Sequence, residues 1–131
     1  MVCLDTSVIV ALLRKDEGAV AKLAQAAAEG RTVGTTVVNL CELYAGANGS
    51  KRVAQELRKV ERVTSLLQTF GFGVDSAKRY GELVNAPALK QKPIGDFDLI
   101  IAAIALSSDE AVATRNIEHF SRVPGLEVEY W

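Results

Sequence analysis

Apolar and polar residues alternate along the chain in blocks whose period changes, and those changes mark its elements. Residues 2–4 (VCL) form a short, wholly apolar run ending at Asp5, which predicts a buried strand delivering a carboxylate at its C-terminal end. Thr6 and Ser7 open a helix through Leu13. A second helix is predicted over 17–29, where Val20, Leu23, Ala24 and Ala27 recur at helical spacing before Gly30. Residues 31–35 read as a strand. Thr35 or Thr36 then caps the helix VVNLCELYAGA, whose end is marked by Gly46 and Gly49. The longest amphipathic stretch is 51–70, with Val53, Leu57, Val60, Val63, Leu67 and Phe70 three or four apart, and it is read as one helix. A brief strand over 72–74, a helix capped by Asp75 or Ser76 and running towards Val84, and a loop or short helix between Pro87 and Pro93 follow.

The stretch 94–106, IGDFDLIIAAIAL, sets two aspartates at the mouth of a helix that has no polar side chain from Leu99 to Leu106. Such a helix must be almost wholly buried. After it come a turn over 107–110, a strand over 111–114, a helical turn over 116–120 and an alternating edge strand over 126–130. Strands and helices alternate throughout, without repeat or linker, which predicts a single α/β domain with a mainly parallel central sheet flanked by helices.

Composition narrows the function classes. With 49% hydrophobic and 24% charged residues in 131, the chain can bury a sizeable core. No apolar run reaches the ~18 residues of a membrane span and no basic leader precedes the first strand, so a cytosolic, unprocessed protein is expected. Cys3 and Cys41, both within apolar runs, are read as small core residues rather than a disulfide. One histidine, His119, is read as a surface or packing residue, and so few nitrogen and sulfur donors argue against zinc. The 16 acidic residues leave room for a hard cation held by oxygen. A net charge of −1 argues against holding nucleic acid by bulk positive charge, though not against an enzyme that touches it through a bound metal.

In parallel α/β sheets, ligands gather outside the carboxyl ends of the strands. Asp5, Asp98 and Asn116 fall at that edge, and Glu42 joins them if its helix crosses it. Three carboxylates in one cleft repel unless a cation lies among them, and oxygen ligands favour Mg²⁺ or Mn²⁺. Each residue also has a plain structural reading. Asp5 and Asp98 are suited to helix starts, where the dipole favours a negative charge. Glu42, with Asn39 and Gly46 at spacings of three and four, is suited to a solvent-facing stripe.

Four motifs, LDTSVIV at 4–10, TTVVNLCELYAGA at 35–47, PIGDFDLIIAAIAL at 93–106 and ATRNIEHFSRVPGLEVEYW at 113–131, resemble together and in order the PIN-domain ribonucleases of the VapC type. These are the toxins of VapBC toxin–antitoxin pairs. The resemblance implies that Asp5, Glu42 and Asp98 hold Mg²⁺ or Mn²⁺, and leaves Asp96 as the helix cap and a residue at the cleft edge. Many members carry a fourth acid where this chain has Asn116, which can offer its amide oxygen or a bridging water instead. Thr6 and Thr114 stand where the family has hydroxyls lining the cleft. The resemblance further implies an RNA substrate cleaved to a 5′-phosphate and a 3′-hydroxyl, a VapB-type antitoxin as partner, and a homodimer. Lys51, Arg52, Arg58, Lys59, Arg62, Lys78, Arg79, Lys90 and Lys92 are candidate phosphate contacts. A housekeeping RNA-processing PIN nuclease and a catalytically silent PIN-like binding module are the rival readings.

Overall fold

The computed structural model describes residues 1–131. Its first strand, β1 (Val2–Leu4), has all three side chains fully buried and lies at the centre of a five-stranded sheet. Continuous apolar sequence is what a strand covered on both faces requires. β2 (Val33–Thr36) and β4 (Ala111–Thr114) pair with β1, while β3 (Gln68–Phe70) and β5 (Val128–Tyr130) form the edges. Every pairing is parallel, with Cys3 opposite Gly34 and Leu4 opposite Ala113.

Eight helices cover the sheet: α1 (Thr6–Leu13), α2 (Glu17–Ala28), α3 (Val37–Asn48), α4 (Val53–Thr64), α5 (Val74–Val84), α6 (Pro87–Gln91), α7 (Asp96–Ser107) and α8 (Ile117–Ser121). The two faces carry separate cores. Val8, Ile9, Leu43 and Val60 from α1, α3 and α4 pack with Leu4 and Ala113 on one side. Leu83, Ile101, Ala105 and Phe120 from α5, α7 and α8 pack with Val112 on the other. Ala113 and Val112 thus face opposite ways, as the period of two in a strand demands. α7 is the most buried helix, with Ile101 to Ile104 fully covered, as its sequence foretold.

Several boundaries differ from the sequence reading. The amphipathic stretch does not run as one helix to residue 70: α4 stops at Thr64, and residues 68–70 pair with β2 as edge strand β3. Bonds from the Leu66 and Leu67 amides to Val63 and Thr64 close the helix in a tight final turn. The Phe70 ring then covers Gly34, where a methyl group would stand 2.6 Å from its Cε2 atom. Residues 72–74 are accordingly loop and helix start rather than strand. α5 begins at Val74 with Gly73 as its cap residue, so neither Asp75 nor Ser76 is the cap. α7 begins at Asp96 behind Gly95, which makes Asp96 the first helical residue and not the cap. β2 begins at Val33, and Thr36 caps α3 through reciprocal bonds with Asn39. Cys3 is buried as expected, but Cys41 is exposed, because α3 turns that side of its apolar run outwards.

From β1 the chain winds outward through β2 to β3, then returns to the other side of β1 as β4. The reversal leaves a crevice at the carboxyl ends of β1 and β4. Asp5 follows β1 there, and Arg115 and Asn116 follow β4.

Candidate active site

Asp5 closes β1, its amide still donating to the Ala113 carbonyl at 2.9 Å, and its backbone turns the chain into α1. Its side chain makes no capping bond. The buried carboxylate instead accepts from three neighbours: Oδ2 from Ser7 Oγ at 3.0 Å and Thr114 Oγ1 at 2.9 Å, and Oδ1 from Asn39 Nδ2 at 3.2 Å. Three donors from α1, β4 and α3 leave it little freedom to turn.

Glu42 lies on α3 one turn beyond Asn39, so it reaches the same crevice rather than a solvent stripe. Its Oε1 accepts from Thr6 Oγ1 at 2.7 Å. Burial is the main cause that holds the Glu42 pKa above the ordinary carboxylate value. The Thr6 bond acts in the opposite sense, and the negative charges of Asp5 and Asp98 push it further up.

Asp98, in the first turn of α7, has its Oδ2 3.0 Å from His119 Nδ1. The side-chain amide of Asn116 lies 2.8 Å from the same ring nitrogen, and the Asn116 backbone N–H donates to Thr114 Oγ1 at 2.9 Å. The contacts join end to end, from Glu42 through Thr6, Asn39, Asp5, Thr114, Asn116 and His119 to Asp98. Asp96 is not among them. It is exposed and lines a separate hollow with Tyr80, Lys90 and Pro93.

Sequence reasoning missed Ser7, Asn39 and His119 as members of the site. Asn39 carried a signal, since a polar residue within an apolar run, three positions after the capping Thr36, must find partners when buried, and here it is fully buried. His119 carried none, because its contact with Asp98 spans 21 residues of sequence.

The donors facing the crevice are carboxylate, hydroxyl and amide oxygens, the set that a hard divalent cation takes. Positive helix ends add to the field, because α1 and α7 both start at it. No three acidic, histidine or cysteine side chains close on one point as a ready cage. The cleft is an open acidic mouth, and a cation would offset both the burial that chiefly raises the Glu42 pKa and the repulsion from Asp5 and Asp98. Beside it, Arg14 and Lys59 line a hollow of about 360 Å³ together with Thr6 and Glu42. Of the nine candidate phosphate contacts, Lys59, Arg79 and Lys92 are already paired, with Glu56, Glu82 and Glu118.

Residues 2–126 match the PIN domain family. Ribonuclease VapC2 of Rickettsia felis is 30% identical over 128 residues, which cover 98% of this chain and 96% of the relative. The chain belongs to the PIN-domain family, in its VapC branch. The likeness of this VapC-type chain extends to its fold. It superposes on a chain in the crystal structure of VapBC2 from Rickettsia felis bound to a DNA fragment from their promoter with a TM-score of 0.91 at 30% identity, covering 100% and 99% of the two chains. The tRNA(fMet)-specific endonuclease VapC of Salmonella typhimurium is 33% identical over 94 residues, 72% of this chain and 71% of that protein. The resemblance carried by the four sequence motifs and the parallel α/β class are both borne out. No helix is long and apolar enough to cross a membrane.

Proposed function

We propose that this VapC-type PIN domain is the toxin of a toxin–antitoxin pair, an endoribonuclease that hydrolyses RNA phosphodiester bonds in the cleft of Asp5, Glu42 and Asp98 with Mg²⁺ or Mn²⁺. The observation that carries the reading is the unbroken line of hydrogen bonds from Glu42 to Asp98. It ties residues from four separate stretches of the chain into one acidic mouth at the sheet's switch point.

Asp5, Glu42 and Asp98 are the residues that would hold the cation. When bound, it supplies Lewis acidity at the scissile phosphate and lowers the pKa of the attacking water. Ser7, Asn39 and Thr114 keep the Asp5 carboxylate in a fixed orientation, and Thr6 does the same for Glu42. Such preorganisation spares the site from rearranging during the reaction. Arg14 flanks the cleft on the Glu42 side and offers positive charge to the RNA backbone, while Lys59 in the same hollow is paired with Glu56.

The restraining partner is read as a VapB-type antitoxin, in line with the solved VapBC complexes that this chain resembles. An apolar groove suits such a segment: Leu12, Leu23, Val63 and Leu67 line it, with Leu66, 80% exposed, among them.

Cleavage of an end-labelled RNA tests the chemistry. Attack by water predicts new 5′-phosphate and 3′-hydroxyl ends, whereas 2′,3′-cyclic phosphate ends would overturn the reading by showing attack from the ribose.

A further inference from the structure

The carboxylates of the cleft are not held alike. Asp5 has three side-chain donors and Glu42 has Thr6. Asp98 has a single side-chain partner, His119 Nδ1 at 3.0 Å. Nothing at the start of α7 replaces it, since the cap residue Gly95 has no side chain and Asp96 faces another hollow. His119 is itself well placed to hold a position. It precedes Phe120, which is fully buried in the core beneath α7, while the imidazole keeps 39% of its side-chain surface in solvent.

The proton on the ring follows from its neighbours. An ionised carboxylate offers only acceptors, so Nδ1 donates to Asp98. The structure sets Asn116 Nδ2 2.8 Å from that nitrogen, and a ring N–H that donates to Asp98 cannot also accept from an amide N–H, so the amide is assigned in the reversed orientation, with its oxygen towards the ring; the two ends of an amide are assigned from such networks.

We propose that His119 is the positioning residue of Asp98: its Nδ1 hydrogen bond sets the orientation of that carboxylate, and with it the affinity of the cleft for a divalent cation, while Asn116 steadies the ring. The inference rests on the cation reading given above. It moves His119 from the protein surface to the machinery of the site, and it gives Asn116 a task without requiring it to touch the cation. Partners of this kind, one shell behind a ligand, fix the angle at which the ligand meets its metal.

Mn²⁺ titrations followed by electron paramagnetic resonance, at one fixed pH, test it on wild type and on three variants. An asparagine amide nitrogen falls near the position of Nδ1, whereas that of glutamine falls near Nε2. His119→Ala and His119→Gln are therefore expected to weaken Mn²⁺ binding about 10- to 100-fold, and His119→Asn to restore most of it. Thermal unfolding without metal reports whether each variant is folded, and if the alanine variant is not, the comparison of Asn with Gln carries the test. Equal Mn²⁺ affinity in the Asn and Gln variants, or wild-type affinity in the Ala variant, would overturn the role of His119 while leaving the cation site standing. A wild-type protein that binds no Mn²⁺ would overturn the cation reading, and this inference with it.

Discussion

Glu42 carries the electrostatic strain of the cleft. Burial and the charges of Asp5 and Asp98 hold its pKa above the ordinary 4.5, so the folded state keeps a proton on it where the unfolded chain has lost one. The stability this group contributes is then full below about pH 4.5 and is lost as pH rises through the raised value. In the absence of metal, Glu42→Gln is expected to unfold at a higher temperature than wild type at neutral pH, with the difference vanishing on acidification, while metal-dependent cleavage is lost. Equal unfolding temperatures across that range would contradict it. That Asp5, Glu42 and Asp98 lie at one cleft was expected from the resemblance of their motifs, although spacing alone could not separate a residue turned to the cleft from a helix-start residue. The cap assigned to Asp96 failed for a local reason, since Gly95 takes that position and Asp96 enters the helix. His119 was hidden for a tertiary one, since its contact with Asp98 exists only once α8 meets α7. Ser7 bonds a carboxylate only two residues away, and its sequence marked it only as a helix-start residue.

At the scale of elements, the buried strands and α7 were legible because an apolar run without charge has one stable destination. β3 was not. Gln68 and Thr69 are exposed at the sheet edge, so no alternation marks them, and Leu67 and Phe70 prolong the helical spacing of the residues before them. The edge is instead specified across the sheet by Gly34. A methyl group there would meet the Phe70 ring at 2.6 Å and the Gln68 carbonyl oxygen at 2.7 Å, and the latter is backbone that cannot rotate away. Gly34→Ala is expected to destabilise the protein by about 1–3 kcal/mol, read from the midpoint of urea unfolding. An unchanged midpoint would show that β3 does not need the close approach.

The order of strands in the whole molecule explains why so few residues suffice for a site. Winding outward from β1 and restarting beside it brings the ends of β1 and β4 and the starts of α1 and α7 to one crevice. The elements that form the crevice are anchored in the two cores on either face. The groove beside α1, α2 and α4 lies outside this arrangement, and its apolar surface is the one proposed for the partner. Leu66→Asp is expected to weaken capture of a co-expressed VapB-type antitoxin while leaving RNA cleavage intact, and unchanged capture would place the partner elsewhere. The three carboxylates stand or fall with RNA cleavage by wild type, Asp5→Asn and Asp98→Asn, measured with Mg²⁺ or Mn²⁺ and with EDTA. Cleavage by wild type that needs the metal, and falls by about 100-fold or more in each variant while both stay folded, is the expected result; cleavage that survives EDTA, or full activity in both variants, would contradict it.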